Sequence, residues 1–243
     1  MNCIINIENL EKSFNGKAVL KGLSLVLNKG ENLVIVGKSG EGKSVTIQCI
    51  VGMIIPDAGK VHVLEQEIEN ISLSALKDLR THIGFLFQHG ALYDSMTVRE
   101  NLAFPLKRVL QISDPSEIEK RSKQALEDVG LAEIIDLMPS DLSGGQRKRL
   151  ALARTLIVNP SIILYDEPTT GLDTVTSKEI SKLIRSIQQK YNASAIIITH
   201  DMSCARLTAD RIMIMHNGNC YAEGTYEELE NSSDSFINSF FKY

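Results

Sequence analysis

Eight residues, Gly37-Lys38-Ser39-Gly40-Glu41-Gly42-Lys43-Ser44, constrain this chain more than any other feature. They fit the pattern G-x-x-x-x-G-K-[ST] in the setting where that pattern works, after the apolar run Leu33 to Val36 and before an apolar stretch from Val45. A strand that passes through a glycine-rich loop into a helix aims backbone N–H groups and the positive end of the helix dipole at one point, where a phosphate can sit. The glycines let the backbone close around the oxygens. Lys43 is placed to meet the β and γ phosphates and Ser44 to offer its hydroxyl to Mg²⁺. Gly37, Lys38, Ser39, Gly40, Glu41, Gly42, Lys43, Ser44 and Val45 are the candidate nucleotide contacts.

Such a loop needs a buried parallel sheet, and two more short apolar runs, Ile162 to Tyr165 and Ala195 to Thr199, read as strands of it. Between them Ser95 to Ile157 reads as mostly helical, an insertion into an α/β core. Within it, Asp114 as N-cap, Pro115 at the first helical position and Glu117 at the third open a helix whose Ile118, Ser122, Ala125, Leu126 and Val129 share a face before Gly130. The opening stretch, Ile4 to Leu27, alternates like antiparallel strands about the turn Asn15-Gly16. Near the other end, Thr225-Tyr226-Glu227-Glu228 is set to cap a short helix, and Phe236, Ile237, Phe240 and Phe241 form an apolar tail suited to this chain's own core or to a partner.

Composition narrows the possibilities further. The balance of 26 Lys and Arg against 30 Asp and Glu gives no basic excess for nucleic acid or anionic lipid. Cys3, Cys49, Cys204 and Cys220 lack metal-ligand spacing and read as reduced thiols. No apolar run approaches the roughly 18 residues of a membrane span, and Met1 to Glu11 lacks the layout of a signal peptide, so any membrane role is expected to be peripheral.

Two further groups carry chemistry. Ile162 to Glu167 is a buried strand ending in two acids, which are costly there unless cations or donors meet them. Asp166 is suited to the Mg²⁺ shell and Glu167 to polarising an attacking water. Leu142-Ser143-Gly144-Gly145-Gln146 opens a helical stretch to Ile157, with Ser143 as N-cap and the glycines freeing the backbone to approach an anion. On its own this segment reads better as a glycine-rich turn before a helix.

Taken together, these residues resemble the ATP-binding subunit of ABC transporters over nearly the whole chain. The resemblance implies an α/β, P-loop NTPase (RecA-like) core with an N-terminal antiparallel β subdomain and an inserted α-helical subdomain. Residues 1–94 and 158–225 would form the ATPase core with its β subdomain, 95–157 the helical subdomain and 226–243 a C-terminal helical tail. By resemblance Phe14 stacks on adenine, Gln88 joins Ser44 and Asp166 at the Mg²⁺ and water site and links it to the membrane subunits, and His200 senses the γ-phosphate. Lys43, Gln88, Glu167 and His200 are then the catalytic set. Gly171-Leu172-Asp173 crosses between protomers, which pair head to tail so that each Ser143, Gly144, Gly145 and Gln146 covers the nucleotide of the other. The implied cofactors are ATP and Mg²⁺. The implied partners are a second copy of the chain and transmembrane permease subunits, on the cytoplasmic face of the cell membrane, with no nucleic acid.

A narrower stretch, Phe85 to Val98 with Glu100-Asn101 and Ala103 to Leu106, looks like the MlaF-type subfamily, which serves MCE-protein systems moving phospholipids or other lipids. Gln146 and Thr174 depart from residues common at those positions. Lipid transport with an MCE-type substrate-binding subunit is therefore the leading expectation. The alternatives are the same ATPase serving another cargo, such as an amino acid or lipoprotein, and a non-transport ATPase clamp.

Overall fold

The structure, a computed structural model, describes residues 3–241. In chain order the elements begin with β1 (Cys3–Phe14), β2 (Lys17–Asn28), β3 (Asn32–Val36), α1 (Lys43–Ile50), β4 (Ala58–Val63) and β5 (Gln66–Glu67). Next come α2 (Leu73–Thr81), β6 (Ile83–Leu86), α3 (Val98–Arg108), α4 (Pro115–Asp128) and α5 (Gly144–Leu156). The last part holds β7 (Ile162–Asp166), α6 (Thr174–Tyr191), β8 (Ser194–Ile198), α7 (Met202–Thr208), β9 (Arg211–His216), β10 (Asn219–Gly224), α8 (Tyr226–Glu230) and α9 (Ser235–Phe241).

A six-stranded sheet in the order β10-β9-β3-β8-β7-β6 forms the centre, parallel except for β10. Its central strands are apolar at nearly every position because both faces are covered, and the period of two sorts their side chains into two cores. Leu33, Ile35, Ile162, Leu164, Ile196, Ile198, Met213 and Met215 face α1 and a four-stranded antiparallel sheet, β2-β1-β4-β5. Val34, Val36, Ile163, Tyr165, Ile197, Ile212 and Ile214 face α3 to α9. Each fully buried Ile, Leu or Val adds about 1.5–3 kcal/mol, so the double-faced sheet is a rigid base for whatever its strand ends carry. The α/β core, antiparallel β sheet and inserted helices expected from sequence are all present.

The three foreseen strands appear, shifted by at most one residue at either end. Asn15 and Gly16, with φ of 50° and 77°, make the two-residue turn of the β1–β2 hairpin. In α4, Asp114 accepts from the Ser116 N–H, Pro115 is the first residue, and Ile118, Ser122, Ala125 and Leu126 are buried. Thr225 and Glu228 form a reciprocal capping box on α8. The tail packs on the chain's own core through Ile237, with Phe236, Phe240 and Phe241 against it; residues 242 and 243 of the expected tail lie outside the described residues. The expected helical insertion is less continuous than its sequence reads, for residues 129–143 between α4 and α5 hold only a short 3-10 turn, Pro139–Asp141. All four cysteines are free thiols. No helix among the described residues is long and apolar enough to cross a membrane.

The β9–β10 hairpin props β2 from behind. Gly218 accepts from the Lys21 N–H at 2.9 Å, has φ of 76°, and a Cβ added there would meet the Val19 carbonyl oxygen at 2.2 Å. A Gly218→Ala variant should therefore lose about 1–3 kcal/mol in urea unfolding; unchanged stability would show that the hairpin tip yields freely.

Candidate active site

Among α1 to α8, only α1 begins without a side-chain cap. Ser72, Thr97, Asp114, Ser143, Asp173, Asp201 and Thr225 each accept a backbone N–H at the start of their helices. At α1 the N-cap is Gly42, with φ of 98°, no side-chain bond and no acid in the first turn. The first N–H groups of a helix lack internal partners, and here no side chain competes for them. Lys43, 8% exposed, holds its ammonium over the same loop, donating to the Gly37 carbonyl at 2.7 Å and the Lys38 carbonyl at 2.9 Å. Burial lowers its pKa, while Glu167, Glu41 and Asp166 oppose that shift. A cation with backbone carbonyls for its hydrogen-bond partners is well placed to exchange them for phosphate oxygens.

The acids at the end of β7 face this loop. Ser44 donates its hydroxyl to Asp166 Oδ1 at 3.1 Å, a pair of hard oxygen ligands joining the loop to the sheet. Burial raises the Asp166 pKa, the Glu167 charge raises it further, and Ser44, Lys43 and Lys148 pull it back. Glu167 stands in the left-handed region, with φ of 50°, and its N–H donates to the Ile198 carbonyl at 2.9 Å. Its Oε2 pairs with His200 Nδ1 at 2.8 Å and accepts from the Thr170 hydroxyl at 3.2 Å. The carboxylate is thus held through one oxygen, and Oε1 has no protein donor among the described residues. That geometry suits a base that orients a water.

These groups line one cleft of about 690 Å³ at the carboxyl ends of β3, β8 and β7 and beside the loop after β6. Gly37, Lys38, Ser39, Gly40, Gly42, Lys43, Ser44, Val45, Gln88, Asp166, Glu167 and His200 all lie on its wall. Ligands of open α/β sheets bind at this edge. Glu41 does not join them, because its carboxylate turns to His216 Nδ1 at 3.3 Å. Phe14 also lies outside the cleft: it is 41% exposed near the hairpin turn, with the Lys12 ammonium 5.6 Å from its ring. Ser143, Gly144, Gly145 and Gln146 are absent from the cleft, and the Ser143 and Gln146 side chains cap each other's backbone N–H at the start of α5. Sequence reasoning missed Val19 and Ile198, two apolar positions on the cleft wall, as well as Thr170 and Lys148. The Pro168-Thr169-Thr170 run beside Glu167 was the available signal for Thr170.

Mg²⁺ suits the Ser44 and Asp166 oxygens, and no group of three or more His, Cys, Asp or Glu among the described residues forms a metal cage. An ion held by few protein ligands and by substrate phosphates is the usual arrangement for Mg²⁺. When bound it supplies charge neutralisation at the phosphates. Lys43 and the α1 start are placed to bind and orient phosphates, and Glu167, fixed by His200 and Thr170, to take a proton from an attacking water.

Fold and site together define a phosphate-loop ATPase. A family profile described as ABC transporter matches residues 20–170. The "Methionine import ATP-binding protein MetN" of Carboxydothermus hydrogenoformans is 41% identical over 229 residues, covering 93% of this chain and 67% of that protein. The protein of the same name from Rhizobium johnstonii is 38% identical, covering 91% of this chain and 60% of that protein. This chain thus spans about two thirds or less of these two relatives. Among solved structures, the dimeric post-hydrolysis state of the ATP-binding cassette MJ0796 bound to ADP and Pi superposes with a TM-score of 0.82 at 31% identity, over 91% of this chain and 98% of that one. The cbiO1 protein of Clostridium perfringens, described as part of the ABC transporter complex cbiONQ, superposes with a TM-score of 0.88 at 29% identity, over 100% and 96%. The chain belongs to the ABC transporter family, as an ATP-binding cassette that hydrolyses ATP with Mg²⁺.

Replacing Lys43 by Ala removes the buried ammonium and should weaken ATP binding roughly a hundredfold, with most turnover lost. Equilibrium titration with a fluorescent ATP analogue measures this; near-normal affinity would refute the role given to Lys43. Chelating Mg²⁺ with EDTA should abolish phosphate release while leaving the fold intact by circular dichroism.

Proposed function

We propose that this chain is the ATP-hydrolysing subunit of an ABC transporter, acting with transmembrane permease subunits on the cytoplasmic face of the membrane and pairing head to tail with a second copy of itself. The separation of the two anion-seeking helix starts carries this reading. The start of α1 opens into the cleft, whereas that of α5 does not line it, and Gly144 borders a second depression with Gln88, Gly90, Thr170 and Leu172. Two copies facing each other in opposite directions would bring each α5 start to the other's phosphate loop. The MJ0796 cassette, described as dimeric and bound to ADP and Pi, supports the pairing. The cbiO1 protein, described as part of a transporter complex, supports the permease partner.

For the cargo, the comparisons favour amino-acid import, the alternative in the sequence reading, over lipid transport. Three relatives that each cover more than nine-tenths of this chain carry the name of methionine import proteins. The lipid reading keeps its basis in the resemblance of Phe85 to Leu106 to MlaF-type proteins, and an MCE-type subunit gains no support from those names. That stretch builds an exposed aromatic surface, with Tyr93 against Phe104 at 4.9 Å and the Arg154 guanidinium 5.2 Å from the Tyr93 ring. Next to Gln88, it is the surface assigned to the permease.

A Glu167→Gln variant should bind ATP, lose hydrolysis by roughly a hundredfold or more, and sediment as a dimer with ATP and Mg²⁺. A monomer under those conditions contradicts the pairing. Purification of the tagged chain with its membrane subunits, followed by mass spectrometry and labelled methionine binding, separates the cargoes. An amino-acid-type permease that responds to methionine supports import, and an MCE-type subunit with bound phospholipid would overturn it.

A further inference from the structure

Lys148 lies on α5, little more than one turn beyond Gly144, and is 6% exposed. A buried lysine ordinarily pairs with a carboxylate, yet no acid lies within 4.0 Å of this ammonium among the described residues. Instead it donates to the Gln88 carbonyl at 2.7 Å and reaches the Glu167 carbonyl at 3.4 Å. Those carbonyls follow β6 and β7, adjacent parallel strands that deliver Gln88 and Glu167 to the cleft. One cation therefore clips together the ends of two strands and the helix whose start carries Ser143.

The clip matters most at Glu167. A non-glycine residue in the left-handed region persists only where its surroundings over-determine it. The Glu167 N–H is fixed by the Ile198 carbonyl, and its C=O accepts from the Thr170 N–H at 3.3 Å and from the Lys148 ammonium at 3.4 Å, so both backbone polar groups of the residue are held. Its side chain is held separately by His200 and Thr170. Burial lowers the Lys148 pKa, and the charges of Asp166 and Glu167 oppose that shift, so the ammonium also offsets the two acids without touching either carboxylate.

We propose that Lys148 is a positioning residue for hydrolysis, which fixes the Glu167 and Gln88 backbones against the signature helix and so sets the aim of the Glu167 carboxylate. This rests on Glu167 being the group that orients water. A misplacement of about 1 Å costs up to a hundredfold in rate, whereas the phosphate loop, which Lys148 does not touch, keeps its affinity.

The test compares Lys148→Met, of similar length but without a donor, Lys148→Gln, which retains an N–H, and Glu167→Gln, each in the full chain. Steady-state ATPase assays, ATP titration and thermal melts are run together. Lys148→Met should lower kcat about tenfold to a hundredfold with KM and ATP affinity within about twofold, and Lys148→Gln should recover much of the loss. If Lys148→Met melts early, Lys148→Gln decides, and a folded Gln variant must then show a smaller kcat loss at unchanged KM. A folded Lys148→Met with wild-type kcat, or loss of kcat and ATP affinity in equal measure, overturns the proposal. Undiminished hydrolysis by Glu167→Gln instead overturns the site reading beneath it.

Discussion

Two adjacent carboxylates at the end of a buried strand are the constraint on which the rest of this structure depends. Asp166 and Glu167 stand half-buried where β7 leaves the sheet, and uncompensated acids there would protonate or pull the strand end into solvent. The chain meets them with two buried lysines, the Ser44 hydroxyl, Thr170 and His200, drawn from four segments. Neither lysine forms a tight ion pair with the acids. Lys43 binds loop carbonyls and Lys148 binds strand-end carbonyls, so the carboxylates keep oxygens free for a cation and a water. The arrangement forgoes the strongest local pairing and retains reactivity.

The same economy governs the helix starts. Among α1 to α8, seven helices satisfy an orphan N–H with a side chain, and α1 alone leaves the task to a ligand. The α5 start is intermediate: Ser143 caps the Gln146 N–H, but Gly144 is exposed and unobstructed. A helix start that is partly satisfied can wait in water and still accept an anion from another molecule, which suits a site completed only on assembly.

Much of this was legible in the sequence because it is local. The phosphate loop, the three apolar strands, the Asn15-Gly16 turn and the Asp114 cap depend on neighbours within a few residues, and each is written in residue type and spacing. What escaped depends on contacts between distant segments. Lys148 looks like one basic residue in the run Arg147-Lys148-Arg149, and nothing local marks it as the one turned inward to a carbonyl 60 positions away. Val19 and Ile198 enter the cleft only through sheet register, while Glu41 leaves it because His216, 175 positions on, takes its carboxylate. The strands β4, β9 and β10 also went unread: the half-polar runs of β4 and β10 take their strand character from pairing with β1 and β9, and β9 takes its place from pairing with β3. Phe14 went the other way, since its exposed position fits a stacking surface better than a core residue but leaves it outside the cleft wall.

The central claim is that the cleft is half of a site, which a second chain completes. Mixing two inactive variants tests it most directly. Lys43→Ala lacks the phosphate grip, and Gly144→Asp puts a negative charge at the α5 start, where an added Cβ meets nothing nearer than Leu172 at 3.9 Å. Head-to-tail pairing of one variant with the other unites an intact phosphate loop from one chain with an intact α5 start from its partner. Hydrolysis should therefore return in the mixture to a substantial fraction of the wild-type rate, with each variant alone near background. A mixture as inactive as its components would contradict the shared site.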